Sequence, residues 1–102
     1  RETSAGKIAD TIHRVTSLKK GNYLALFPSF EFMERTVKEL VVPTGMRLLV
    51  QPRFMKNDDV ESVLDILRTG AVPTILFAVQ GGHFSEGVDY PGDMLIGAFV
   101  VG

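Results

Sequence analysis

Two short runs constrain the fold more than any other feature of this chain. Tyr23-Leu24-Ala25-Leu26-Phe27 and Thr74-Ile75-Leu76-Phe77-Ala78-Val79 carry no charged residue. They are too brief for helices and lack the polar alternation of a half-exposed strand. They read as strands buried on both faces, the pattern of a parallel sheet with helices packed against it. Met46 to Val50 and Leu95 to Val101 are two more apolar runs, the latter interrupted by Gly97 and read as another buried strand.

Helical stripes lie between these runs. Ile8, Ile12 and Val15 recur at offsets of four and three, and Lys19-Lys20-Gly21 suits a helix C-terminus, where cations meet the negative end of the dipole. Ser29 is placed to N-cap a helix from Phe30 to Val41, with Phe30, Met33, Val37, Leu40 and Val41 as its apolar positions. Asp58 followed by Glu61 has capping-box spacing and predicts a third helix carrying Val60, Val63, Leu64 and Leu67, closed by Gly70. The order helix, strand, helix, strand, helix, strand, loop, strand gives one α/β domain over residues 1–102.

Composition narrows the chemistry. Eleven Lys and Arg against twelve Asp and Glu leave a net charge of -1, so a grip on nucleic acid by charge alone is excluded. The sequence has no Cys, hence no disulfide or thiolate metal site of its own. No stretch reaches the roughly eighteen apolar residues of a membrane span, and no membrane partner is expected. The chain opens on Arg1 and closes on the apolar run to Val101-Gly102, which reads as a piece excised from a longer protein.

In an open parallel sheet, ligands bind beyond the carboxyl ends of the strands. Pro28-Ser29, Gln51-Pro52-Arg53 and the segment from Gln80 to Asp93 fall there. Ser29 and the first amides of its helix could hold an anion, although a cap serving only its own helix is the commoner role. Arg53 and Lys56 add positive charge nearby, as an ordinary solvated loop also would. The glycines between Gly81 and Gly92 let backbone approach a ligand and offer amides to phosphate. Ser85 could donate a hydroxyl, while Glu86 and Asp89 could accept from ribose, water or an arginine. Neither a Walker A loop nor a dinucleotide fingerprint is present, and the residues alone do not choose the ligand. His83 and His13 make no metal pattern, and Ser85, His83 and Asp89 make no triad. Phe27, Phe77 and Phe99 read as core, and Phe84 as an anchor for the glycine loop more than a stacking ring.

Taken together, these segments resemble a known group. Gly82-His83-Phe84-Ser85-Glu86-Gly87-Val88-Asp89-Tyr90-Pro91-Gly92-Asp93 is similar to motif V of the DinG/XPD-like superfamily 2 DNA helicases, and Gly21 to Phe30, with its Phe27-Pro28-Ser29, resembles motif IV. Leu48-Leu49-Val50-Gln51 resembles the strand that follows. The resemblance implies a partial second RecA-like motor domain, a three-layer P-loop NTPase-type fold that clamps ATP against a first motor domain of the same protein. The implied activity is ATP-driven 5′ to 3′ translocation on single-stranded DNA with duplex unwinding. By position, Ser29, Gln51, Gly82 and Ser85 are implied on the DNA side, and Glu86, Gly87 and Asp89 toward the nucleotide. ATP and Mg2+ would bind mainly through the first domain, and an iron–sulfur cluster, if there is one, would also lie outside this chain. The setting implied is the nucleoid in a prokaryotic cytoplasm or a eukaryotic nucleus, with a role in DNA repair. Motif VI and its arginines are not in this sequence, so the catalytic set is incomplete and the chain alone is expected to be inactive. A non-hydrolytic nucleotide- or nucleic-acid-binding α/β module is the alternative, and a purely structural loop a third reading.

Overall fold

A computed structural model describes residues 2–85, 90–92 and 94–101, with only the backbone of residues 2–4. The elements are α1 (Glu2–Leu18), β1 (Tyr23–Phe27), α2 (Phe30–Glu39), β2 (Arg47–Val50), α3 (Asn57–Thr69), β3 (Thr74–Val79) and β4 (Gly97–Val100). The four strands form one parallel sheet in the order β2-β3-β1-β4. The two runs that read as doubly buried are its central pair, with Tyr23 opposite Ile75 and Phe27 opposite Val79.

Strand alternation divides the core between the two faces. Ala25, Phe27, Ile75 and Phe77 point to the face covered by α1 and α2, where they meet Ile12 and Met33. The rings of Phe27 and Phe77 lie 4.7 Å apart there. Leu24, Leu76 and Ala78 point the other way, onto Val60, Leu64 and Leu67 of α3. Helix α3 covers only part of that face. Phe84, from within the glycine-rich stretch, and Met94, just after it, complete its buried cluster. The result is three layers, helices on both sides of a sheet.

Three sequence expectations are corrected. The Leu95–Val101 run is not a doubly buried strand: β4 is short, sits at a sheet edge and alternates half-buried with exposed, leaving Val100 74 % exposed. Burial of a strand depends on its lateral neighbours, and β4 pairs only with β1. The box at the start of α3 also differs. The helix begins at Asn57 behind Lys56, and the Asp59 carboxylate accepts from the Lys56 backbone N–H at 3.1 Å. Asp58 instead lies in the first turn, beside the positive end of the helix dipole. Helix α2 stops at Glu39, short of the expected Val41, with Leu40 as its C-cap.

The amino end of the sheet is closed by buried polar bonds. Asn22 donates Nδ2 to the Leu67 carbonyl at 2.8 Å and accepts the Thr74 amide on Oδ1 at 3.0 Å, tying β1 to the end of α3 and the start of β3. Tyr23 donates its hydroxyl to the Lys19 carbonyl at 2.6 Å.

Candidate nucleic-acid interface

Because all the strands are parallel, the segments after β1, β2 and β3 leave the sheet at one rim. That rim is stitched together. Gln80 N–H donates to the Phe27 carbonyl and Gln51 N–H to the Phe77 carbonyl, each at 2.8 Å. The Gln51 side chain, 5 % exposed, accepts the Val79 amide on Oε1 at 3.1 Å. Gln80 Nε2 reaches the Val101 carbonyl at 2.7 Å.

Ser29 is the N-cap of α2, in an extended conformation, and its Oγ accepts the Phe32 amide at 3.1 Å. Accepting leaves the hydroxyl hydrogen available to donate. The Phe30 and Glu31 amides, at the first two helical positions, have no acceptor within the helix. Arg53 lies next to this turn, its guanidinium carbon 5.0 Å from the Phe30 ring centroid and Nη2 3.4 Å from the Glu34 carboxylate.

After β3 the chain folds into a tight, self-bonded turn. Gly82 N–H donates to the Val79 carbonyl at 3.1 Å and Ser85 N–H to the Gly82 carbonyl at 3.2 Å, while Gly81 N–H donates to Ser85 Oγ at 2.8 Å. Gly81 is left-handed, at φ 78°. A Cβ on Gly82 would stand 3.0 Å from the Val79 carbonyl and 3.2 Å from Gln51 Nε2, so a side chain there fits only if one of these neighbours gives by a few tenths of an ångström.

The expectation that this loop offers its amides to a ligand is therefore corrected for Gly81, Gly82 and Ser85, whose amides bond within the turn. The polar hydrogen left at Ser85 is that of its hydroxyl. Phe84 is the expected anchor, fully buried against α3. Its carbonyl accepts the Tyr90 hydroxyl at 2.6 Å, and burial pushes the Tyr90 phenol up to about 12.

Ser29, Gln51, Gly82 and Ser85 thus belong to one rim, with the two serines half-buried and Gln51 turned inward. Glu86, Gly87 and Asp89 lie outside the described residues. Beside the turn is a cleft of about 360 Å³ lined by Arg53, Phe54, Met55, Lys56, Asp59 and His83. Sequence reasoning noted the charge of Arg53 and Lys56 but not Phe54, since a lone aromatic in a loop does not reveal which way it faces. Among the described residues no group of three or more His, Cys, Asp or Glu is placed to hold a metal ion. No described helix is long and apolar enough to cross a membrane.

A parallel α/β sheet between two helical layers, with polar groups gathered at its carboxyl rim, is the RecA-like architecture. Residues 12–102 match the family model of the helicase C-terminal domain, and the chain belongs to that family. No curated protein matches the chain.

Proposed function

We propose that the chain serves as the second RecA-like motor unit of a DinG/XPD-like superfamily 2 DNA helicase, one that couples ATP hydrolysis to 5′ to 3′ translocation on single-stranded DNA and to duplex unwinding. The observation that carries this reading is the convergence of the β1–α2 turn and the turn after β3 on one rim, fixed by the Phe27–Val79 register. In that arrangement Ser29 and Ser85 donate hydroxyl hydrogens to the DNA phosphates. Gln51 and Gly82 hold the second turn at the height that lets Ser85 reach the strand. Contacts of this kind position a strand without reading its sequence, as a translocating motor requires.

Glu86, Gly87 and Asp89, next in the chain, are assigned toward the nucleotide on the family resemblance. Bound ATP with Mg2+ would supply the phosphoryl chemistry. On the same resemblance both are assigned mainly to the first motor unit; this sequence has no Walker A loop, and the described residues hold no carboxylate cluster for the metal. An iron–sulfur cluster would likewise need ligands from elsewhere, as this sequence has no Cys.

The test uses the full-length helicase that carries this domain. ATP hydrolysis should be stimulated by single-stranded DNA, and Ser29→Ala should weaken DNA binding while the fold is kept. The 102-residue chain alone should show no turnover. Sustained turnover by that chain, purified free of contaminating ATPase, or DNA binding unmoved by Ser29→Ala, would overturn the reading.

A further inference from the structure

Of the seven Phe and two Tyr in the chain, Phe54 alone stands exposed, at 92 %; the other eight are buried or half-buried. Its position follows from its neighbours. Gln51 is buried at the end of β2, and Met55 packs against the α3 core, so residues 52–54 arch away from the protein between two fixed points. The core gains nothing from an aromatic at the crest of that arch. Phe54 also shares its cleft with three nitrogen-bearing side chains, Arg53, Lys56 and His83, and with one carboxylate, Asp59.

We infer that this cleft is a stacking site for one base of a single nucleic-acid strand, with Phe54 as the platform and Arg53 and Lys56 facing the phosphates on either side of that base. An exposed ring can take any base face, but only from a strand whose bases are unstacked. The charges fit a strand better than an apolar peptide. Arg53 and Lys56 flank the ring, and the Asp59 carboxylate is partly occupied by the Lys56 N–H. Glu34 holds Arg53 only through a 3.4 Å contact between side chains that are both 52 % exposed. Such a pair is weak and gives way to a phosphate. Arg53 also borders the first turn of α2 through Phe30, which places one lining residue of the cleft beside the turn that Ser29 caps.

The inference rests on the nucleic-acid reading above but adds a residue and a contact type. The chain has no Trp, so Phe54→Trp places a single reporter in the cleft. Oligo(dT) should quench its fluorescence on binding. Phe54→Leu should weaken oligo(dT) binding about ten-fold by fluorescence anisotropy, the scale of one lost base stack. Binding of an abasic oligonucleotide, which keeps the phosphates, should be the same for Phe54→Leu and the unaltered chain. An unquenched tryptophan overturns the inference. Quenching by thymidine monophosphate as strong as that by oligo(dT) also overturns it, since no strand would then be needed. If Ser29→Ala weakens binding while the Phe54 variants do not, this inference alone fails. If the full-length helicase that carries this domain does not bind oligo(dT), the inference falls together with the nucleic-acid reading.

Discussion

The two ends of the sheet each bury an amide side chain, and they use it differently. At the amino end, Asn22 bonds through both halves of its amide, fixing α3 and β3 to β1. The side chains around that bond serve the fold. At the carboxyl end, Gln51 is as deeply buried and takes the last amide of β3, yet what surrounds it is half-exposed serine, exposed Arg53 and Lys56, and the fully displayed Phe54. One end has its strand and helix termini tied together by the buried amide, although a cleft of about 360 Å³ remains beside Asn22 and Leu67, and the other is framed from below and left polar above. Burial of a polar side chain is therefore not in itself a mark of function. What distinguishes the carboxyl end, where the proposed site lies, is the set of donors left over once the internal bonds are made.

The sharpest way to break this contrast is to remove the hydrophobic support of the carboxyl end. Phe84→Ala empties a fully buried site beneath the turn after β3 and should cost about 3–5 kcal/mol in urea unfolding. A loss under about 1 kcal/mol would mean the turn does not depend on that anchor. Next comes the amino end, where Asn22→Ala orphans the Thr74 amide and the Leu67 carbonyl. The expected loss is about 2–3 kcal/mol in the same assay, with oligo(dT) binding unchanged wherever the chain is folded. If binding fell, the two ends would be coupled. Ser29→Ala removes one cap bond and should lower stability by about 1 kcal/mol, yet it should reduce DNA binding more than that small loss explains.

The smallest effect is the pH response of Tyr90. Its hydroxyl is raised from 10.0 to about 12 by burial, so between those values the unfolded chain has lost a proton that the folded chain keeps. The stabilising contribution is whole below pH 10 and disappears as pH rises through about 12. Denaturation midpoints across that range should fall less steeply in Tyr90→Phe than in the unaltered chain. Because the ring is only half-buried, solvent screening keeps the difference modest.

Much of the fold could be read from the amino-acid order because its signals are local. Uninterrupted apolar runs marked β1 and β3, and the stripes of Ile8 and Ile12, and of Val60, Leu64 and Leu67, marked helix faces. Ser29 as a cap and Phe84 as an anchor were legible for the same reason. The edge position of β4 was not, because strand order is set by contacts between distant segments, and an apolar run reads alike at an edge or in the middle. Two nearby carboxylates hid the true start of α3: Asp58 has N-cap chemistry, but the cap lies two residues earlier, at Lys56, and Asp59 makes the bond. At the site, glycine content suggested open amides. Whether an amide is free depends on partners such as the Val79 carbonyl and Ser85 Oγ, which spacing alone does not reveal.

Gln80 stands where three strands finish. Its backbone extends β3, its amide holds the end of β1, and its side chain clasps the carbonyl just beyond β4. Displacing the turn that Gln80 begins therefore means breaking bonds to β1 and to the chain just beyond β4 as well as leaving β3. Of the strands it joins, β4 is the shortest and pairs along one side only, so the Gln80 side chain adds a second tie to the sheet's margin.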